Sequence, residues 1–249
     1  MRPMFSYYGA KWRLSKYLPP PPNELTIVEP FAGSAGYSLR YGKGRNVLLI
    51  DRDPIIVAVW QFLISAKPSE ILNLPDIQPG QKVDELNCHQ EAKWLIGFWL
   101  NKGSAAPRNV LSSWSVKYRN QFWGEAIRIR ISNQVPYLRQ WKARTGGYED
   151  ADIGYACYHI DPPYETAGRF YTHGSSSLDY QKLGHWCRNL KGFVHVCENS
   201  GANWLPFRAF REVKATTKKK GAAAVSFEAL WCNDRLRQQA FPFFNVATW

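Results

Sequence analysis

An apolar run at residues 25–28 closes on Glu29 and Pro30, gives way to small residues at 32–36, and is followed by a second apolar run, 47–50, that closes on Asp51. Short apolar runs bounded by turn signals read as buried strands, and the small residues open a helix between them. Strand, loop, helix, strand is a βαβ unit, which commits the chain to an α/β fold, because parallel strands need a crossover that a helix supplies. Small side chains also let backbone approach a ligand closely at the start of that helix. Asp51 stands 18 positions after Gly33, the spacing of an acid that binds ribose hydroxyls in a nucleoside site of this kind. Asp53, directly before Pro54, reads instead as the N-cap of a helix over 54–65.

A third apolar run, 155–160, ends abruptly in Asp161, Pro162, Pro163 and Tyr164. It predicts a buried strand delivering a rigid polar turn at its carboxyl end, where ligands bind in a parallel sheet. The prolines lack N–H groups and fix φ, so they hold Asp161 and Tyr164 in a set relation and leave carbonyls to point outward. Such a turn can grip a planar amine. An aromatic amine is a poor nucleophile because its lone pair is delocalised. Accepting both its protons, at the Asp161 carboxylate and the Pro162 carbonyl, draws the nitrogen toward tetrahedral and frees the pair. Tyr164 offers a face for stacking a base, worth about 1 to 3 kcal/mol, and stacking needs only a ring. The chemistry is positioning plus electrostatics without a covalent intermediate.

The chain of 249 residues has room for one α/β domain carrying an insertion. From 67 to 144 the alternation of strand and helix lapses, and the segment reads as a helical insertion. Helices are expected over 91–101 and 124–134, with a third starting at Pro136 and running to about 143. Elsewhere the pattern predicts a short basic helix over 12–18, a strand at 148–152, a helix over 178–190 capped by Ser177, a buried strand at 192–199, and a hairpin of 211–217 with 225–231. A net charge of +12 with 15% aromatic residues points to nucleic acid as the partner. Candidate contacts are Arg119, Arg128, Arg130, Arg139 and Arg144 in and beside the insertion, and Lys218, Lys219 and Lys220 in the hairpin turn. The five cysteines are odd in number and scattered through apolar runs, unlike a disulfide framework or a zinc site, so a reducing cytoplasm and no metal are expected. Neither a signal peptide nor a membrane span is expected.

The ordered set YYGAK, VEPFAGSAG, Asp51 and DPPY resembles the Dam-type, phage-like DNA adenine N6-methyltransferases over about residues 7 to 199. The segments HVCENSGANWLPF and SFEALW also look like stretches of phage-type members. The resemblance implies a Rossmann-like class I S-adenosylmethionine-dependent methyltransferase fold, a mostly parallel sheet ending in a reversed hairpin. It assigns 1–66 and 145–249 to the catalytic domain and 67–144 to target recognition. It implies methyl transfer from S-adenosylmethionine to the exocyclic amine of adenine in double-stranded DNA, with the base flipped out, in a prokaryotic or phage-encoded protein that a restriction endonuclease can accompany. By position, Tyr7, Lys11, Phe31, Ala32, Gly33, Asp51 and Asp161 match cofactor contacts, and Asp161, Pro162 and Tyr164 match the catalytic turn. Ala35 departs from the pattern, standing where the family often has a second loop glycine. The same turn could grip adenine in RNA or the amine of cytosine, and a silent binding protein of the same fold is the remaining alternative.

Overall fold

The computed structural model describes residues 1–101, 103–111, 122–165, 174–214 and 225–233. Among these residues the fold is α/β, built on one mixed sheet of seven strands in the order β3-β2-β1-β4-β5-β7-β6. The strands are β1 (Ile27–Glu29), β2 (Val47–Asp51), β3 (Trp141–Thr145), β4 (Ala156–Ile160), β5 (Gly192–Asn199), β6 (Arg208–Lys214) and β7 (Val225–Cys232). β1 to β5 run parallel, and β7 lies antiparallel between β5 and β6. The order changes direction at β1, which has β2 on one side and β4 on the other, and such a switch point opens a crevice at the carboxyl ends of the strands.

Alternation along the strands divides the core between the two faces of the sheet. One face buries Ile27, Leu49, Cys157 and Phe193 against α1 (Gly36–Tyr41), α2 (Pro54–Ser65) and the helices that follow. The other buries Val28, Ile50, Tyr158 and Val194 against α6 (Tyr180–Asn189). Burying both faces of the central strands is what makes them continuous apolar runs in sequence. Among the described residues the intervening helices are α3 (Pro68–Leu72), α4 (Gln90–Trp99) and α5 (Glu125–Ser132). Their buried residues, Ile71, Leu95 and Ile127 among them, join the first face's core rather than forming a separate one. No helix among the described residues is long and apolar enough to cross a membrane.

The helix over 54–65 forms with those bounds, and Asp53 Oδ1 caps it by accepting from Ile55 N at 2.9 Å. Four local expectations need correction. Residues after Pro136 do not form a helix. A 3-10 turn, Val135–Leu138, leads into β3, whose Trp141 is buried while Lys142 and Arg144 are exposed, a period of two that marks a strand. Residues 148–151 form a 3-10 turn instead of a strand, stitched by Gly147 N donating to Asp150 Oδ2 at 2.9 Å. The basic helix at 12–18 reduces to a 3-10 turn at Ser15–Tyr17 before the proline run. The cap of α6 is Asp179 rather than Ser177, because its carboxylate accepts from Gln181 N and Lys182 N at 3.1 and 3.0 Å.

Candidate functional site

The amino-terminal segment reaches the sheet because Phe5 is fully buried, its ring centroid 5.4 Å from that of Trp60 and 5.1 Å from that of Phe98. Trp99 Nε1 donates to Met4 O at 2.8 Å. That anchor sets Tyr7 and Lys11 over the carboxyl ends of β1 and β4, where a cleft opens. Tyr7, Lys11, Phe31, Ala32, Gly33, Asp51 and Asp161 all line it, the whole set that the resemblance assigns to a cofactor.

The loop after β1 owes its shape to a few bonds. Gly33 has φ +43°, and its N–H donates to Asp51 Oδ2 at 2.9 Å while its carbonyl accepts from Trp60 Nε1 at 2.8 Å. A side chain at Gly33 would bring a Cβ within 3.0 Å of the Tyr7 ring, so the backbone passes directly beneath that tyrosine. Asp51 Oδ1 accepts from Asp53 N at 2.9 Å. With an N–H on each oxygen, the Asp51 carboxylate is held in a fixed plane at the cleft wall. Ala35 takes the left-handed conformation, φ 48° and ψ 51°, which explains why a glycine suits this position and shows that the loop closes with alanine there.

The turn after β4 is tied down from several sides. Lys11 Nζ lies 3.2 Å from Asp161 Oδ1 and 4.4 Å from the centroid of the Tyr164 ring. Tyr164 Oη donates to Glu228 Oε2 at 2.5 Å, Tyr180 Oη donates to Pro163 O at 2.5 Å, and Glu165 N donates to Glu198 Oε2 at 3.2 Å. Pro162 is buried and Pro163 is the proline that lines the cleft. Burial pushes the Asp161 carboxyl up to about 6, with the Lys11 ammonium pulling the other way and Glu228 adding to the rise. Burial also drives the Tyr164 phenol well above its ordinary range. Glu29, buried at the end of β1, is pushed up to about 8 by desolvation although its carboxylate accepts from Ser38 N at 2.6 Å. The cleft wall thus carries the carboxyl groups of Asp51, Asp53 and Asp161 against Lys11 and Arg52, while Glu29, raised to about 8, holds its proton at neutral pH.

The arginines chosen from the sequence stand elsewhere. Arg128 pairs with Asp76, and Arg139 donates to the carbonyls of Ile64 and Ala66 at the end of α2. Arg130 donates to Pro3 O at 3.3 Å and lies 4.8 Å from the Trp99 ring centroid, and Arg144 donates to Asp150 O. All four brace the protein itself, and none lines the cleft. Arg119 and Lys218, Lys219 and Lys220 lie outside the described residues.

Sequence reasoning passed over Glu29, His159, Glu198 and Glu228. His159 lines the cleft, stacks on Tyr37 with centroids 4.7 Å apart, and places Nδ1 2.9 Å from His195 Nε2. Burial holds both imidazoles below their ordinary range. The available signal was a lone ionisable residue inside an otherwise apolar strand, as in IVE, YHI, VCE and FEALW. Such a residue needs a buried partner or a ligand. No family model matches this chain, and no curated protein matches it.

Proposed function

We propose that the protein is an S-adenosylmethionine-dependent DNA methyltransferase acting on the exocyclic amine of adenine. One observation carries the reading. Seven residues drawn from the amino-terminal segment, the loop after β1, the end of β2 and the turn after β4 converge on a single cleft at the switch point of the sheet. Nothing in their sequence separation requires them to meet.

The residues fit the cofactor chemically. A rigid carboxylate at Asp51 suits two ribose hydroxyls, and the close backbone at Gly33 suits the amino-acid part beneath Tyr7. The acidic wall suits a ligand bearing sulfonium and ammonium charge. When bound, the cofactor supplies an electrophilic methyl group. Asp161 accepts from the target amine and localises its lone pair, and Tyr164 stacks the base. Lys11 now lies against both groups, so it holds Asp161 in place and neutralises it until the base arrives. The fixed turn supplies alignment, since its prolines and its bonds to Tyr180, Glu198 and Glu228 leave it little freedom.

Incubation with tritiated S-adenosylmethionine and duplex DNA, RNA or no acceptor tests the reading. Label is expected in DNA alone. Label confined to RNA, or found in cytosine after digestion, would move the substrate while keeping the site. Cofactor bound without transfer to any acceptor would leave a silent binding protein.

A further inference from the structure

β7 runs against the other central strands, so it begins at the edge of the sheet where β4 and β5 finish. That reversal brings Glu228, paired in register with Asn199 of β5, to the turn that holds Asp161 and Tyr164. Glu228 is 5% exposed in a strand that continues Ala229, Leu230, Trp231 and Cys232, all buried. A carboxylate in such a place is costly unless it is hydrogen-bonded. Its partners are Ser226 Oγ, 3.2 Å from Oε1, and Tyr164 Oη, which donates to Oε2 at 2.5 Å.

Stacking requires only a ring, so the hydroxyl of Tyr164 and its buried partner remain to be accounted for. A phenol that donates to a carboxylate is held in one plane and carries more electron density on its ring. The face of such a ring attracts positive charge more strongly. Lys11 shows that this face already accepts a cation, at 4.4 Å from the centroid.

We propose that Glu228 is a positioning residue for methyl transfer, acting through Tyr164 to orient and enrich the ring on which the target base stacks. The proposal rests on the methyltransferase reading above. In the transfer the base amine forms a bond to the methyl carbon as the carbon–sulfur bond breaks. The electron pair of that bond stays on sulfur, which leaves as a neutral thioether. The base holds the positive charge until the amine nitrogen releases a proton to water. An enriched ring beneath the base stabilises it most when it is charged, so the effect falls on turnover and not on binding.

Glu228→Gln keeps the volume and removes the charge, Tyr164→Phe removes the donor, and the double variant removes both. Each single variant is expected to lower kcat about tenfold, the scale of one hydrogen bond to a charged group, with KM for cofactor and duplex unchanged. The double variant is expected to lose no more than either single one. A merely structural role would lower Tm and raise KM along with the fall in kcat, and losses that multiply in the double variant would show that Glu228 does not act through Tyr164. Either result, or full kcat in Glu228→Gln, overturns the proposal. If Glu228→Gln does not fold, Tyr164→Phe decides alone, and full kcat there overturns it. A wild-type protein that transfers no methyl group ends the underlying reading instead, which separates the two failures.

Discussion

Lys11 and Asp161 meet as an ion pair, Nζ to Oδ1 3.2 Å, although one precedes the first strand of the sheet and the other follows the fourth. Burial raises the Asp161 carboxyl and Lys11 restrains the rise, leaving it at about 6. Asp161 accepts the hydrogen bond of the amine most strongly when ionised, and in that form it best localises the lone pair. Activity is therefore expected to climb with pH through about 6. Lys11→Met removes the restraining charge, so the acid limb of its kcat/KM profile, which reports the free enzyme, should move to higher pH. A limb at the wild-type position in that variant would show that another group governs it.

Asp51→Ala deletes the carboxylate that accepts from Gly33 N and Asp53 N. Cofactor affinity is expected to fall by about 1.5 to 3 kcal/mol, the scale for hydrogen bonds to a charged group. Calorimetry on the folded variant measures it, and unchanged affinity would remove Asp51 from the site.

Gly33→Ala places a Cβ 3.0 Å from the Tyr7 ring at a residue with φ +43°. The left-handed conformation costs a residue with a side chain about 1 to 2 kcal/mol, and the tyrosine must also yield. A lowered Tm together with weakened cofactor binding is expected. A variant with wild-type Tm and affinity would show that the loop has slack the structure does not display.

Glu29 sets a pH dependence of stability. Its carboxyl rises from 4.5 to about 8 on folding, so the native state binds the proton more tightly than the unfolded chain. The stabilisation this gives is complete below about 4.5 and is lost as pH rises through about 8. Glu29→Gln keeps an acceptor for Ser38 N without a titration. Wild-type Tm should therefore fall relative to that of Glu29→Gln between about pH 5 and pH 9, and parallel profiles would show that Glu29 does not titrate in this window.

The central strands, α2 and its Asp53 cap are legible in the sequence because they rest on local physics, apolar runs closed by turn residues and a side chain that caps its own helix. Residues 141–145 mislead because alternation in a half-exposed edge strand, with arginine and lysine outward, resembles a basic helix face when a proline precedes it. The arginines are read from charge alone, which does not reveal that Arg128 and Arg139 have partners at Asp76 and at the end of α2. Glu228 and Glu198 stay hidden because their partners, Tyr164 and the backbone of Glu165, arrive from distant parts of the chain. Only the reversed strand order brings the first pair together.

Methylated nucleosides measured by mass spectrometry test the central claim most directly. Duplex DNA is incubated with S-adenosylmethionine and either wild-type protein or Asp161→Ala, then digested to nucleosides. N6-methyldeoxyadenosine should accumulate with the wild type and form about 100-fold more slowly with Asp161→Ala, the scale of one hydrogen bond to a transition state. No methylated adenine from folded wild-type protein, or an equal rate from Asp161→Ala, would contradict the account.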